Sequence, residues 1–167
     1  MEENMMGNIV DGNTAVQQIH CQTVPYSARY RSGCADIFYK IFTMPPFHFS
    51  WLDRANVERY FTDLENAPRF LSYLLVNGDR PLGACLGQVD DYFMTAGYRV
   101  NEFFIDEEIQ GLGMGTDFLR AVENNLRREG IEAIYLFAQK YSKAHAFYRR
   151  CGFLVNDETV HMVKLLG

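Results

Sequence analysis

Residues 103 to 119 read FFIDEEIQGLGMGTDFL, and the order of residue types in them decides how the rest of the chain is parsed. Phe103, Phe104 and Ile105 end the stretch RVNEFFI, which predicts a strand over Arg99 to Ile105. Asp106, Glu107 and Glu108 follow as a short acidic loop. Gly111, Gly113 and Gly115 then alternate with Leu112 and Met114. A helix over Thr116 to Arg128 comes next, with Phe118, Leu119, Val122 and Leu126 on one face and Gly130 ending it. Glycines lack a Cβ, so they permit unusual φ/ψ and let a bulky anion approach the backbone. The unpaired N–H groups at the start of the helix, at the positive end of its dipole, point at that anion. Strand, glycine turn and helix in this order would place a pyrophosphate well, though taken alone they read equally as an ordinary strand-to-helix turn.

Two other phosphate-binding patterns fail on spacing. A dinucleotide-binding turn needs GxGxxG early in the chain, within a βαβ unit, and an acid about 20 residues further on. Here the spacing is GxGxG and it lies late in the chain. A P-loop needs Gly-Lys-Ser/Thr after its glycines, and none follows.

Working outward toward the N-terminus, Ala15 to Val24 reads as a first strand ended by Pro25. Ser27 is placed to cap a helix reaching about Phe42, with Ile37, Phe38, Ile41 and Phe42 on one face. Thr43 to Trp51 (TMPPFHFSW) carries two prolines that stop the helix, and reads as a structured aromatic loop. Asp53 then caps a second helix whose Val57, Tyr60, Phe61 and Leu64 repeat at i, i+3, i+4, i+7, closed by Asn66-Ala67-Pro68. Arg69 to Val76, the turn Asn77-Gly78-Asp79 and Pro81 to Val89 make a hairpin. Toward the C-terminus come a strand at Ile131 to Ala138, a short helix near Ser142 to Arg150 ended by Gly152, and a last hairpin around Asn156-Asp157. This alternation is mixed α/β. Residues 1–13 lack sustained periodicity and read as a loose tail, with 14–167 as a single domain.

Composition narrows the function classes. With 48% hydrophobic and 14% aromatic residues, the chain has the apolar surface to build a sizeable core. No run of 18 apolar residues and no signal-peptide pattern occurs, so a cytoplasmic protein without a membrane partner is expected. Cys21, Cys34, Cys85 and Cys151 form no CxxC pair and read as reduced thiols. His20, His48, His145 and His161 have no ligand spacing, so no metal is expected. A net charge of -5 disfavours nucleic acid as a partner and suits a cationic amine.

Gln110, Gly113 and Gly115 at this strand-to-helix turn match the Arg/Gln-x-x-Gly-x-Gly/Ala signature of the GNAT superfamily of acetyl-CoA-dependent N-acetyltransferases. Ala144-x-x-Phe147-Tyr148-x-x-x-Gly152-Phe153 resembles the family's C-terminal element, at the right separation of one helix and one strand. The resemblance is sharp over residues 99 to 153. It implies an α+β fold with a central mixed, mostly antiparallel sheet flanked by helices, whose fourth and fifth strands splay apart around a pantetheine slot. It implies that Phe104 and Ile105 offer backbone groups to the pantetheine amides. Gln110, Gly111, Leu112, Gly113, Met114, Gly115 and Thr116 would hold the pyrophosphate, and Ser142, Ala144, Phe147 and Tyr148 would line the cofactor from the C-terminal element. Tyr141 stands where many members have Asn, and Ser142 is the substitute for that contact.

The implied reaction is direct transfer of an acetyl group from acetyl-CoA to a primary amine of a small molecule or peptide, with a backbone N–H of the splayed strand meeting the oxyanion. Tyr148, a phenol protonated at neutral pH, is the candidate acid for the departing thiolate, against a core tyrosine as the alternative. Glu102 is the candidate base; a bulge of one residue would exchange it for Asn101 or Phe103, and a solvated strand carboxylate is the other reading. Asp106, Glu107, Glu108 and His145 are assigned no catalytic part. Phe47, Phe49 and Trp51 read as core or as an aromatic wall for the amine. A non-catalytic acyl-CoA-binding or regulatory module, or an enzyme for a longer acyl chain, are the alternatives, and a homodimer is the default assembly.

Overall fold

The computed structural model describes residues 4–10, 16–45, 47, 49, 52–92 and 95–166. The backbone divides into two units, Met1–Leu136 and Phe137–Gly167. In the first, six strands lie in sequence order: β1 (Asn4–Val10), β2 (Val16–Pro25), β3 (Tyr73–Asn77), β4 (Arg80–Tyr92), β5 (Thr95–Ile105) and β6 (Ala133–Tyr135). The first five pair antiparallel, and β6 alone runs parallel, to β5. Three helices pack on the sheet: α1 (Arg31–Thr43), α2 (Arg54–Glu65) and α3 (Met114–Arg128). The expected mixed, mostly antiparallel α/β fold is present.

Alternation along the strands feeds two cores. On one face Tyr73, Leu75, Cys85, Tyr98 and Val100 meet Met114, Phe118, Val122 and Leu126 of α3. On the other, Leu74, Val76, Ala84, Leu86 and Phe104 meet Cys34, Phe38, Val57 and Phe61 of α1 and α2. Each buried side chain of this size contributes about 2 kcal/mol. The stripe expected on α3 is the buried one, and Phe118 stacks on Phe103 with ring centroids 5.4 Å apart.

The helix ends show which polar side chains work as caps. Asp53 accepts from the N–H of Ala55 at 2.9 Å, as its position predicted. Ser27 differs: its side chain makes no cap bond, and a 3-10 turn at Ala28–Tyr30 leads into α1. Charged side chains also tie α2 to α1. Arg54 at its start reaches Asp36 of α1 at 2.6 Å and the carbonyl of Ser32 at 2.8 Å. Glu65 at its end holds Arg31, the first residue of α1.

Three boundaries depart from the sequence reading. Within the stretch read as a tail, Asn4–Val10 forms a strand in register with β2 from Asn4↔Gln22 to Val10↔Val16, and Met5 is buried. A strand paired through its backbone needs no strong apolar period of its own. The strand expected over Ile131 to Ala138 is only Ala133–Tyr135. The hairpin expected around Asn156-Asp157 is a turn, with the N–H of Glu158 bonded to Asn156 Oδ1 and no strand among the described residues after Tyr135.

The second unit contains α4 (Lys143–Arg150), capped by Ser142 and followed by Gly152 at φ 92. None of the helices among the described residues is long and apolar enough to cross a membrane.

Candidate functional site

The parallel contact between β5 and β6 is short. Gly97, Tyr98 and Arg99 pair with Ala133, Ile134 and Tyr135, and β5 then runs on for six residues, Val100 to Ile105, past the end of β6. Because β1 precedes the strands read from sequence, these two are the fourth and fifth of that reading. The last six residues of β5 thus have no paired strand on that side among the described residues.

Where β5 ends, a second set of local rules takes over. Asp106 is buried, accepts from the N–H of Glu108 and starts a 3-10 turn over Glu107–Ile109. Lys40 of α1 reaches Glu107 at 2.5 Å, and Arg80 of β4 reaches Glu108 at 2.7 Å and Asp106 at 3.5 Å. The acidic loop is therefore neither a metal cluster nor merely solvated; two cations from separate elements pin it. Gln110 turns back, its Nε2 donating to the carbonyl of Ile105 at 3.1 Å. Ile109 and Met114 are buried on either side of the turn, while Gly111, Leu112 and Gly113 stand exposed.

Gly111 and Gly113 have φ of 78 and 82, a region L side chains avoid. A Cβ built on either would meet nothing within 4 Å, so the space over the turn is open. Gly113 is also the N-cap of α3, with its carbonyl accepting from the N–H groups of Thr116 and Asp117. The helix's first N–H groups have no partner within the helix. An open cradle, two left-handed glycines and a helix N-terminus fit an anionic group. Gly115 has a different reason from the one expected: its φ is not positive, and it is a buried residue in the first turn of α3.

The base candidate lies beside a bulge. Leu86 pairs with Glu102 but Gly87 pairs with Val100, so Asn101 is the extra residue. Before the bulge Tyr98 and Val100 face α3; after it Phe103 and Ile105 do, and Phe104 faces α1 and α2. The slip thus carries Glu102 to the α2 side, where Tyr60 donates to its Oε1 at 2.8 Å. Without the bulge Glu102 would continue the Tyr98, Val100 series into the α3 core. Burial among apolar groups pushes the Glu102 carboxyl up to about 7, partly offset by the Tyr60 hydrogen bond. Gly87 makes room for the distortion, because a Cβ there would come within 2.5 Å of Cζ of Tyr98. Asn101 Oδ1, at the bulge, is buried without a hydrogen-bond partner.

Of the aromatic loop, Phe47 and Phe49 lie within 6 Å of the Phe42 ring, with Phe42 and Phe49 stacked; Trp51 is outside the described residues. In the second unit, Ser142 Oγ accepts from the N–H of His145 at 3.0 Å, so its lone pair is used as a helix cap. Tyr141 has φ 66 and is exposed. The Tyr148 ring packs edge-on between Phe147 and Phe153, at 5.2 and 5.3 Å. Ala144 lies in the first turn of α4. No group of three His, Cys, Asp or Glu among the described residues could hold a metal ion, and all four cysteines are unpaired.

The sequence profile of the acetyltransferase (GNAT) family matches residues 35–153. The chain belongs to the GNAT family. No curated protein sequence matches it. Solved structures share the GNAT fold at low identity. An aminoglycoside acetyltransferase from an uncultured soil metagenomic sample, in complex with sisomicin, is 17% identical, with a TM-score of 0.66 over 88% of this chain and 97% of that one. The aminoglycoside 6'-N-acetyltransferase of Acinetobacter haemolyticus is 12% identical, with a TM-score of 0.66 over 87% and 99%. A protein of Clostridium difficile 630, described as a possible acetyltransferase, is 12% identical, with a TM-score of 0.72 over 88% and 99%.

Tyr60, Lys40 and Arg80 are what reading the sequence for function misses. Tyr60 falls on the apolar stripe of α2 and is 42 residues from Glu102, so nothing local marks it as a partner.

Proposed function

We propose that this GNAT protein is a cytoplasmic N-acetyltransferase that moves an acetyl group from acetyl-CoA to a primary amine by direct attack. One observation carries the reading: a single strand, β5, has a carboxyl brought to about 7 at Glu102 and, directly beyond Ile105, leads to the open glycine turn. A base with a pKa near the working pH balances availability against proton affinity. Bound acetyl-CoA would supply an activated thioester.

In this mechanism the backbone of Phe104 and Ile105 aligns the pantetheine arm, and Gln110 to Thr116 receive the pyrophosphate through main-chain N–H groups. Ionised Glu102 takes the proton of the acceptor ammonium, directly or through water. A backbone N–H of β5 stabilises the developing oxyanion. Tyr148 would donate its hydroxyl proton to the departing thiolate and recover one from the amine nitrogen, which sheds its second proton as the amide forms; Ser142, Ala144 and Phe147 would line the cofactor.

The test is thiol release from acetyl-CoA across small-molecule and peptide amines between pH 6 and pH 9. Amine-dependent release that rises through about pH 7, as Glu102 loses its proton, is expected. Tight acetyl-CoA binding with no release for any amine would favour a non-catalytic acyl-CoA-binding module instead.

A further inference from the structure

Resting on Glu102 as the base, we infer that Tyr60 of α2 is the residue that positions it, holding one carboxylate oxygen so that the other is presented to the acceptor amine. Glu102 arrives on the α2 side of the sheet through the bulge at Asn101. There it meets apolar neighbours: its own strand contributes Phe104, β4 contributes Leu86, and α1 and α2 contribute Phe38 and Phe61 to the same core. Among the described residues, burial, which raises its pKa, and Tyr60, which lowers it, are the two influences on its ionisation. A carboxylate in such surroundings would swing between rotamers unless a donor fixed it, and Tyr60 supplies that donor at 2.8 Å.

Two further features suit Tyr60 to this role. Burial and the neighbouring Glu102 charge push its phenol above the ordinary value, so it stays protonated, and therefore a donor, across the pH range in which Glu102 titrates. Its helix is clamped to α1 at both ends, by Arg54 on Asp36 at the start and by Arg31 on Glu65 at the end. The hydroxyl is thus held over β5 by a rigid pair of helices. With Oε1 occupied, Oε2 remains to accept from the amine. Tyr60 itself is 37% exposed, so solvent can reach the pair.

A merely structural tyrosine and a positioning one differ in their effect on pH dependence. A hydrogen bond donated to the charged form of a carboxyl favours ionisation, so Tyr60→Phe should move the acid limb of kcat/KM upward by about one pH unit. Near pH 6 that is a loss of roughly tenfold, shrinking to almost nothing at pH 9, with acetyl-CoA affinity unchanged. Carbon-13 NMR titration of the Glu102 carboxyl gives the same quantity without turnover, and should move in the same direction. An unmoved acid limb and an unmoved carboxyl titration in the folded Phe variant would overturn the inference. Glu102→Gln separates the two levels. A Gln variant with full activity removes Glu102 as the base, whereas an inactive Gln variant beside an unaltered Phe profile removes Tyr60 alone.

Discussion

Replacing Glu102 by Gln should make the protein more stable, and increasingly so as the pH rises. Burial raises the folded-state pKa from the ordinary 4.5 to about 7, so below about pH 4.5 the carboxyl is largely neutral in both folded and unfolded chains and costs almost nothing. Above about pH 7 it is ionised in both, and the folded chain bears the full penalty. Each pKa unit corresponds to about 1.4 kcal/mol, which gives roughly 3 kcal/mol at pH 8. Glu102 is half-buried rather than sealed, and water screens part of the charge, so about 2 kcal/mol is the expected difference. Gln keeps a carbonyl oxygen to accept from Tyr60, so the change isolates the charge. Urea unfolding of both proteins at pH 4.5 and pH 8 measures it, because other titrating groups are common to the two and cancel. The stability gain should be near zero at the lower pH and near its maximum at the higher. A gain independent of pH would refute the argument that Glu102 is ionised at a desolvation cost. In the same variant acetyl transfer should fall by about 10²–10⁴-fold, the usual contribution of a general base.

Gly113→Val should weaken acetyl-CoA binding by tenfold or more in calorimetry, because φ 82 is forbidden to a branched residue and the side chain would fill the open cradle; unchanged affinity would take the turn out of the cofactor site. Tyr148→Phe should lower kcat by roughly 10 to 100-fold with acetyl-CoA affinity kept, and the defect should shrink with a donor whose thiol is more acidic; a full kcat, with chemistry limiting, would exclude Tyr148 as the acid. Gly87→Ala should destabilise the fold by about 1–3 kcal/mol, because its Cβ meets the Arg99 carbonyl oxygen at 2.4 Å as well as the Tyr98 ring. It should also lower activity in the remaining folded protein by disturbing the bulge that carries Glu102, as thermal unfolding and initial rates would together reveal.

The glycine turn was legible from residues 103 to 119 because its determinants are local. Positive φ at Gly111 and Gly113, the buried stripe of α3 and the cap at Asp53 each depend on neighbours within a few positions. The pairing of Gln110 and the glycines with the later Ala144 to Phe153 pattern was likewise a matter of order and spacing, and it led to the family whose profile matches 35–153. What the chain alone could not decide is which way Glu102 faces. A strand's alternation reverses at a bulge, and here Gly87 pairs with Val100 across the ladder, which leaves Asn101 as the extra residue. The same holds for β1, which has a place only because β2 pairs with it, and for the acidic loop, which Lys40 and Arg80 pin from far along the chain. Local sequence determined the backbone of the glycine turn. Packing between distant segments decided the partner, the orientation and the proton affinity of the carboxyl beside it, because burial and cross-strand register exist only once the sheet has closed against α1 and α2.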